Sequence, residues 1–273
     1  MYESHWQLKQ KPFENFTDSR FYFPGESHQA ALLKLRYAIE NKRGCALLTG
    51  ASGIGKTLVV DTLKESLGQP FSPFVHLIFP QMSSGQLLAY IAGELDGTIG
   101  RSDDNELPIN VRRIENFLAE NTRNGRHVVL VIDEAQLIED HRTFETLRLL
   151  LNFESDGKPS LTLLIVAQPT MLPVLDRMPQ LNDRFSVKCL LRPFTKQETI
   201  DYVTHRLKVA GSQRAIFDSD AGTKLYELTH GVARQINRLC DLALLIGYAE
   251  GQHTITADQL EAVCQELVTV VPE

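Results

Sequence analysis

Five short apolar runs constrain this chain more than any other feature. They are Cys45 to Thr49, Phe74 to Phe79, His127 to Ile132, Leu161 to Ala167 and Val187 to Leu191. Each is continuously apolar rather than alternating, which suits strands buried on both faces. Helical patterns lie between them: Thr57 to Leu67, Ser83 to Leu95 with a serine start signal, Ile109 to Asn124 and Thr143 to Phe153. Strand and helix in alternation predict a parallel sheet with right-handed crossovers. The first 40 residues are mixed, with Pro12, Pro24 and two aromatic clusters.

The pattern changes at Pro193, beyond which no strand signal remains. Thr195-Lys-Gln-Glu198 is a capping box, and a helix is expected to run to about Ala210, before Gly211. Asp218 or Ser219 can cap a second helix ending near His230-Gly231. A third is expected from Val232 to about Glu250 and a fourth from Ala257 to about Val268. The 273 residues thus divide into an α/β core, 1–193, with an entry segment, 1–43, and a small helical domain, 194–273.

Composition excludes several classes. The longest apolar run, Leu242 to Ala249, is far below the roughly 18 residues that span a bilayer, and the N-terminus shows no secretory signal. Cys45, Cys189, Cys240 and Cys264 show no C-x-x-C spacing and read as buried thiols in a reducing cytoplasm. Net charge is -6, which argues weakly against a general nucleic-acid coat and names no partner.

Chemistry concentrates after the first apolar run. Gly50-Ala51-Ser52-Gly53-Ile54-Gly55-Lys56-Thr57 matches G-x-x-x-x-G-K-[ST], with Leu58 continuing into a helix. Glycines let successive backbone N–H groups turn inward onto phosphate oxygens, and the helix adds its positive end. Lys56 would put a charge on the β- and γ-phosphates, and the Thr57 hydroxyl would be a magnesium ligand. The third run ends in Asp133-Glu134, at a sheet edge where ligands bind in such folds. There Asp133 can hold magnesium through its water shell, and Glu134 can polarise the water that attacks the γ-phosphate. Gln168, ending the fourth run, is either a contact to the γ-phosphate or its water, or a turn residue before Pro169. Arg184, just before the last run, either crosses a subunit interface to stabilise transition-state charge or makes a surface ion pair. Arg234, starting the third C-terminal helix, either draws that domain onto the nucleotide or is a solvated helix residue.

Together these residues resemble the AAA+ ATPases and, within them, the ExeA-like family of the general secretion pathway protein A type. The resemblance spans nearly the whole chain. Lys11-Pro12-Phe13 and Phe21-Tyr22-Phe23 followed by His28 look like the family's entry segment. Gly50 to Thr57 resembles its Walker A loop and Asp133-Glu134-Ala135-Gln136 its Walker B box. Gln168-Pro169 resembles sensor 1, Arg184 the arginine finger, and Arg234 with Asn237 and Leu239-Cys240-Asp241 the sensor 2 helix. Two positions depart: Ala233 replaces the usual sensor 2 proline and Ala167 the glycine before the sensor 1 glutamine.

The resemblance implies a P-loop NTPase fold of the ASCE type, with a five-stranded parallel sheet, helices on both faces and a C-terminal helical lid. It implies ATP or ADP with Mg2+, an adenine pocket lined by about Phe21 to His28, and a homo-oligomer, ring or filament, with the finger in trans. An unidentified protein partner of the secretion, pilus or envelope-complex type would be remodelled in the cytoplasm. Two other readings remain open. One is a DNA-associated, transposition-type regulatory ATPase using Arg112, Arg113, Arg123 and Arg126. The other is an ATP-dependent scaffold with negligible turnover.

Overall fold

The structure is a computed structural model that describes residues 1–14, 18–98, 107–155 and 157–269. The chain forms two compact units. One comprises residues 27–51 and 59–191, the other residues 1–26, 52–58 and 192–273.

The first unit is built on a parallel sheet of β1 (Cys45–Thr49), β2 (Phe74–Leu77), β3 (Val128–Ile132), β6 (Leu161–Ala167) and β7 (Phe185–Leu190), in the order β2-β3-β6-β1-β7. Every residue of β1, β3 and β6 is buried, as their unbroken apolar runs require. Alternate side chains, Leu47, Leu130, Ile132, Leu163 and Ile165 among them, enter one core with α3 (Ser84–Asp96), α4 (Leu107–Arg123) and α5 (His141–Leu150). The intervening set, including Leu48, Val131 and Val166, is equally buried on the opposite face. Buried Leu35 and Ile39 of α1 (Glu26–Glu40) and Val59, Val60 and Leu63 of α2 (Lys56–Ser66) complete the apolar set of this unit. The α3 start is a reciprocal box: Ser83 Oγ accepts from the Gln86 amide while the Gln86 side chain accepts from the Ser83 amide. A short hairpin of β4 (Glu154–Ser155) and β5 (Lys158–Pro159) precedes β6, and α6 (Leu172–Asp176) and α7 (Pro179–Asn182) follow it.

Three boundaries differ from the sequence reading. Helix α1 lies where the first 40 residues read as mixed. Its inner face is made of His28, Ala31, Leu35, Ala38 and Ile39, while Leu33 and Tyr37 point to solvent, so its apolar stripe is blurred. Strand β2 stops at Leu77 and leaves Ile78 and Phe79 about 60% exposed. Strand β7 starts at Phe185 and pairs only with β1; as an edge strand it exposes Ser186, Lys188 and Leu190.

The second unit contains α8 (Lys196–Val209), α9 (Ala221–Thr229), α10 (Ala233–Ala249) and α11 (Ala257–Thr269). Thr195 and Glu198 form the expected capping box, at 3.2 and 2.8 Å. Asp218 accepts from the Asp220 and Ala221 amides at the start of α9. The first residues are an integral part of this unit. Trp6 is fully buried, and its indole N–H donates to the Leu244 carbonyl at 2.9 Å. Tyr2, Leu8 and Phe13 enter the same core as Leu239 and Leu260. Arg206, 3% exposed, donates to the carbonyls of Pro12 and Glu14 and lies over the Phe21 ring. Gly231 is obligatory: its φ is +74°, and a Cβ there would sit 1.9 Å from the Phe194 carbonyl oxygen.

Candidate functional site

The carboxyl edge of the sheet gathers several of the residues singled out by sequence. The Gly50 N–H donates to the Ala167 carbonyl at 3.2 Å, so the ends of β1 and β6 are joined where the glycine-rich loop departs. On the far side of β6, β3 ends at Ile132 and delivers Asp133 and Glu134 to the same edge. Asp133 is 1% exposed. One of its oxygens accepts the Glu134 amide at 2.8 Å and the other lies 3.3 Å from His76 Nε2. His76 comes from β2 and Asp61 from α2; sequence reasoning passed over both, since neither sits in a motif. Burial raises the Asp61 carboxyl above its ordinary range; His76 and Lys64 oppose that, while Asp133 adds to it.

Glu134 has φ 50° and ψ 37°, a left-handed conformation uncommon outside glycine. A tight turn, Ala135–Leu137, follows it. Gln136 within this turn donates its side-chain N–H to a Glu134 carboxylate oxygen. Its carbonyl oxygen accepts the Gln168 amide at 2.9 Å. Gln136 therefore ties the residue after the acidic pair to the end of β6. The Gln168 side chain makes no cap to the turn that follows it.

Arg184 stands apart from this group. It precedes β7, and Phe185 pairs with Cys45, the first residue of β1. It is exposed at the amino edge of the sheet, donating to Asn152 Oδ1 at 2.9 Å. At about 3.3 Å per residue, the length of β1 puts it more than 13 Å from the carboxyl edge of its own sheet.

In the helical unit, the loop residues Ser52–Leu58 pack with Arg234. Gly53 and Gly55 have φ of +78° and +101°, so both positions require glycine. The Arg234 amide, in the first turn of α10 where no carbonyl of the helix can accept it, donates to the Gly53 carbonyl at 2.9 Å. Its guanidinium donates to Ser52 Oγ at 3.3 Å. A Cβ on Gly53 would lie 2.8 Å from the Arg234 Cβ. Lys56 is 5% exposed at the first turn of α2, with Thr57 beside it and Leu58 after it.

The donor set fits magnesium. The described residues hold no cluster of three His, Cys, Asp or Glu side chains that could cage a metal. One buried carboxylate and one hydroxyl are what Mg2+ takes from a protein when waters and phosphates supply the rest.

A family model described as AAA domain matches residues 39–175. The chain is 32% identical over 270 residues to the General secretion pathway protein A of Aeromonas hydrophila, covering 98% of this chain and 48% of that one. It thus spans about half the length of that curated relative. Solved structures share the fold at low identity. Drosophila ORC bound to DNA matches with TM-score 0.71 at 17% identity, covering 98% of this chain and 66% of that one. CDC6P of Pyrobaculum aerophilum matches with TM-score 0.70 at 18%, covering 99% and 74%. The Thermotoga maritima RuvB Holliday junction branch migration motor matches with 0.58 at 16%, covering 88% and 69%. The parallel five-stranded sheet with a helical C-terminal region is accordingly that of the P-loop AAA+ proteins. With the matched domain and the 32% identity over almost the whole chain, the protein belongs to the AAA+ ATPase family, in its ExeA-like branch of the general secretion pathway protein A type.

Proposed function

We propose that the protein hydrolyses ATP with Mg2+ and couples nucleotide state to self-assembly and to remodelling of a protein partner. The observation that carries this reading is the tether on Glu134: an acidic side chain beside a buried aspartate at the phosphate edge, oriented by Gln136 and linked through it to Gln168. A protein that only held nucleotide would have no use for an oriented second carboxylate.

The roles follow from position and chemistry. Backbone N–H groups of Gly50 to Leu58 cradle the phosphates, with Lys56 as their counter-charge. Thr57 and Asp133 would hold Mg2+, which would supply positive charge to offset the charge of the phosphates. Glu134 accepts the proton of the attacking water, and Gln168 orients that water or the γ-phosphate. Arg234 reports the nucleotide to α10, to which the loop is already bonded through Gly53. Arg184, exposed at the opposite edge, supplies its charge to the site of a neighbouring copy in a ring or filament. The adenine lies against the segment from Phe21 to His28. Residues 194–273 act as the lid, and residues 1–26, expected from sequence to belong to a core of 1–193, pack with that helical unit instead. No helix among the described residues is long and apolar enough to cross a membrane, and on this reading the protein acts in the cytoplasm with a secretion, pilus or envelope-complex partner.

Glu134→Gln tests the base: ATP binding is expected to persist and turnover to stop, whereas hydrolysis at the parent rate overturns the assignment. That outcome would also sustain the scaffold reading. Mixing Glu134→Gln with Arg184→Ala tests the finger, because an interface that joins an intact Glu134 to an intact Arg184 recovers activity. Failure of the mixture to recover any turnover removes the trans role.

The second reading, a DNA-associated ATPase, draws on one structural neighbour, the Drosophila ORC, whose solved structure is bound to DNA. Its proposed basic cluster is reduced here, since Arg113 is tied to Asp96 at 2.8 Å. Arg112, Arg123 and Arg126 are exposed. A salt-sensitive shift of duplex DNA by the ATP-loaded protein supports this reading, and no binding at low salt ends it.

A further inference from the structure

Strand β2 is an edge strand whose side chains alternate between two faces. Val75 and Leu77 enter the core shared with α3 and α4, so Phe74 and His76 face the other side of the sheet. That side meets α2. The Lys64 ammonium lies over the Phe74 ring, 5.7 Å from its centroid, and Asp61, one helical turn earlier, is within reach of His76. A histidine that no motif contains is thereby carried to the wall of the phosphate edge by strand period alone.

The end of β2 meets the acidic pair twice. The registers His76↔Val131 and Leu77↔Ile132 set it beside the end of β3. The Asp133 amide donates to the Leu77 carbonyl at 2.8 Å, and His76 Nε2 lies 3.3 Å from Asp133 Oδ2. An ionised carboxylate only accepts, so Nε2 is the donor. The His76 side chain is 13% exposed and that of Asp133 1%.

Burial makes this contact matter. A carboxylate almost cut off from water depends on protein donors. The torsion that turns an aspartate carboxylate has broad minima, so the rotamer alone does not fix the plane of its oxygens. One donor pins one oxygen and lets the plane swing about it. Here the Glu134 amide holds Oδ1 at 2.8 Å and His76 approaches Oδ2, so donors from two segments fix the plane together. Burial raises the Asp61 carboxyl; His76 opposes that rise and Asp133 adds to it, so the imidazole is within reach of both carboxylates.

We propose that His76 is the positioning residue of the magnesium site: by donating Nε2–H to Asp133 Oδ2, it fixes the carboxylate that would hold Mg2+. This rests on the reading of Asp133 as a magnesium-holding group and adds to it a residue from another strand. His76 acts through Asp133 and touches neither nucleotide nor attacking water. The two acidic residues therefore have separate tethers, His76 on Asp133 and Gln136 on Glu134. Loss of the first weakens the response to Mg2+, whereas loss of the second slows turnover at any Mg2+ concentration.

The test compares His76→Met with His76→Gln in the full chain. These side chains have the same length, and only glutamine ends in an amide that can donate where Nε2 does. The first readout is binding: affinity for a fluorescent ATP analogue with excess Mg2+, divided by its affinity in EDTA. Hydrogen-bond partners of metal-holding carboxylates are typically worth about 10- to 100-fold in metal affinity, so His76→Met should shrink this Mg2+ enhancement about tenfold while binding in EDTA stays within about twofold. His76→Gln should recover most of the enhancement. In hydrolysis, the Mg2+ concentration for half-maximal turnover should rise in His76→Met and stay parental in Gln136→Leu. His76→Leu takes the place of the methionine variant if that variant does not fold. Asp133→Asn separates the proposal from the reading beneath it. If Asp133→Asn keeps the parental enhancement, the magnesium reading falls and His76 with it. If Asp133→Asn loses the enhancement while His76→Met keeps it, the magnesium reading stands and the positioning role is wrong. Equal losses in His76→Met and His76→Gln also overturn the role, because the ring would then be packing and not donating.

Discussion

Replacing Gln136 with leucine isolates the tether on the proposed base. Leucine keeps roughly the volume of the side chain and removes both of its hydrogen bonds: the N–H donated to Glu134 and the carbonyl that accepts the Gln168 amide at 2.9 Å. The first is a bond to a charged group, about 1.5–3 kcal/mol net. If Glu134 needs that bond to face the attacking water, its loss is felt in full at the transition state, and at about 1.4 kcal/mol per decade the turnover number falls about 10- to 150-fold. The second leaves the Gln168 N–H short of a partner, worth about 1–3 kcal/mol of stability and a few degrees of melting temperature. Neither bond involves the glycine-rich loop, so KM for ATP should stay within about twofold. Phosphate release at saturating ATP, on samples matched for assembled mass, reads the effect. Gln136→Glu is the companion: it retains an acceptor for the Gln168 amide and sets a like charge against Glu134, so activity at neutral pH should fall while stability recovers part of its loss. Parental turnover in Gln136→Leu, with melting lowered as expected, would refute the tether, since the side chain would then be structural alone.

Other perturbations follow from the packing. Gly53→Ala should reduce ATP binding strongly, because its φ is +78° and the new Cβ would meet the Arg234 Cβ at 2.8 Å; Arg234→Gly, not Arg234→Ala, should relieve the collision, and titration with a fluorescent ATP analogue reads both. Trp6→Ala should cost about 3–5 kcal/mol, seen in denaturant melts, since the side chain is fully buried and bonded to Leu244. His127 is buried against Thr162, and burial first, then Lys42, pulls its pKa down to about 4. The unfolded chain therefore takes up a proton below about 6.5 that the native state refuses until about 4. Stability is full above that window and declines as pH falls through it, by up to about 3 kcal/mol, and His127→Gln should flatten that slope in melts from pH 7 to 4.

Much of this molecule was readable from one sequence because its signals are local. Continuous apolar runs mark strands covered on both faces, and the burial of every residue in β1, β3 and β6 is that pattern made physical. The box at Thr195–Glu198 forms between residues three apart, so spacing alone foretold it, whereas at Ser83 the sequence showed a serine start and not the reciprocal bond to Gln86. Helix α1 escaped because two alanines and a histidine share its buried face with Leu35 and Ile39 while Leu33 and Tyr37 lie on its exposed one. The packing of Trp6 against α10 escaped for another reason: its partners lie some 240 residues away, and no periodicity records a contact of that range.

The site divides along the same line. Phosphate loop and acidic pair are contiguous motifs, whereas His76, Asp61 and the Gln136–Gln168 link exist only once β2, α2, β3 and β6 are neighbours. Net charge is the sharpest case. A total of -6 averages over an edge that carries Asp133, Glu134, Glu139 and Asp140 and an edge that carries Arg43, Arg126, Lys158 and Arg184. The sum weighs against an anionic partner, yet association depends on the field at the contact, not on the total. Parallel strands convert scattered basic residues into a row because every strand start lies on one side of the sheet. The same topology puts every strand end, and with them the phosphate loop and the acidic pair, on the other.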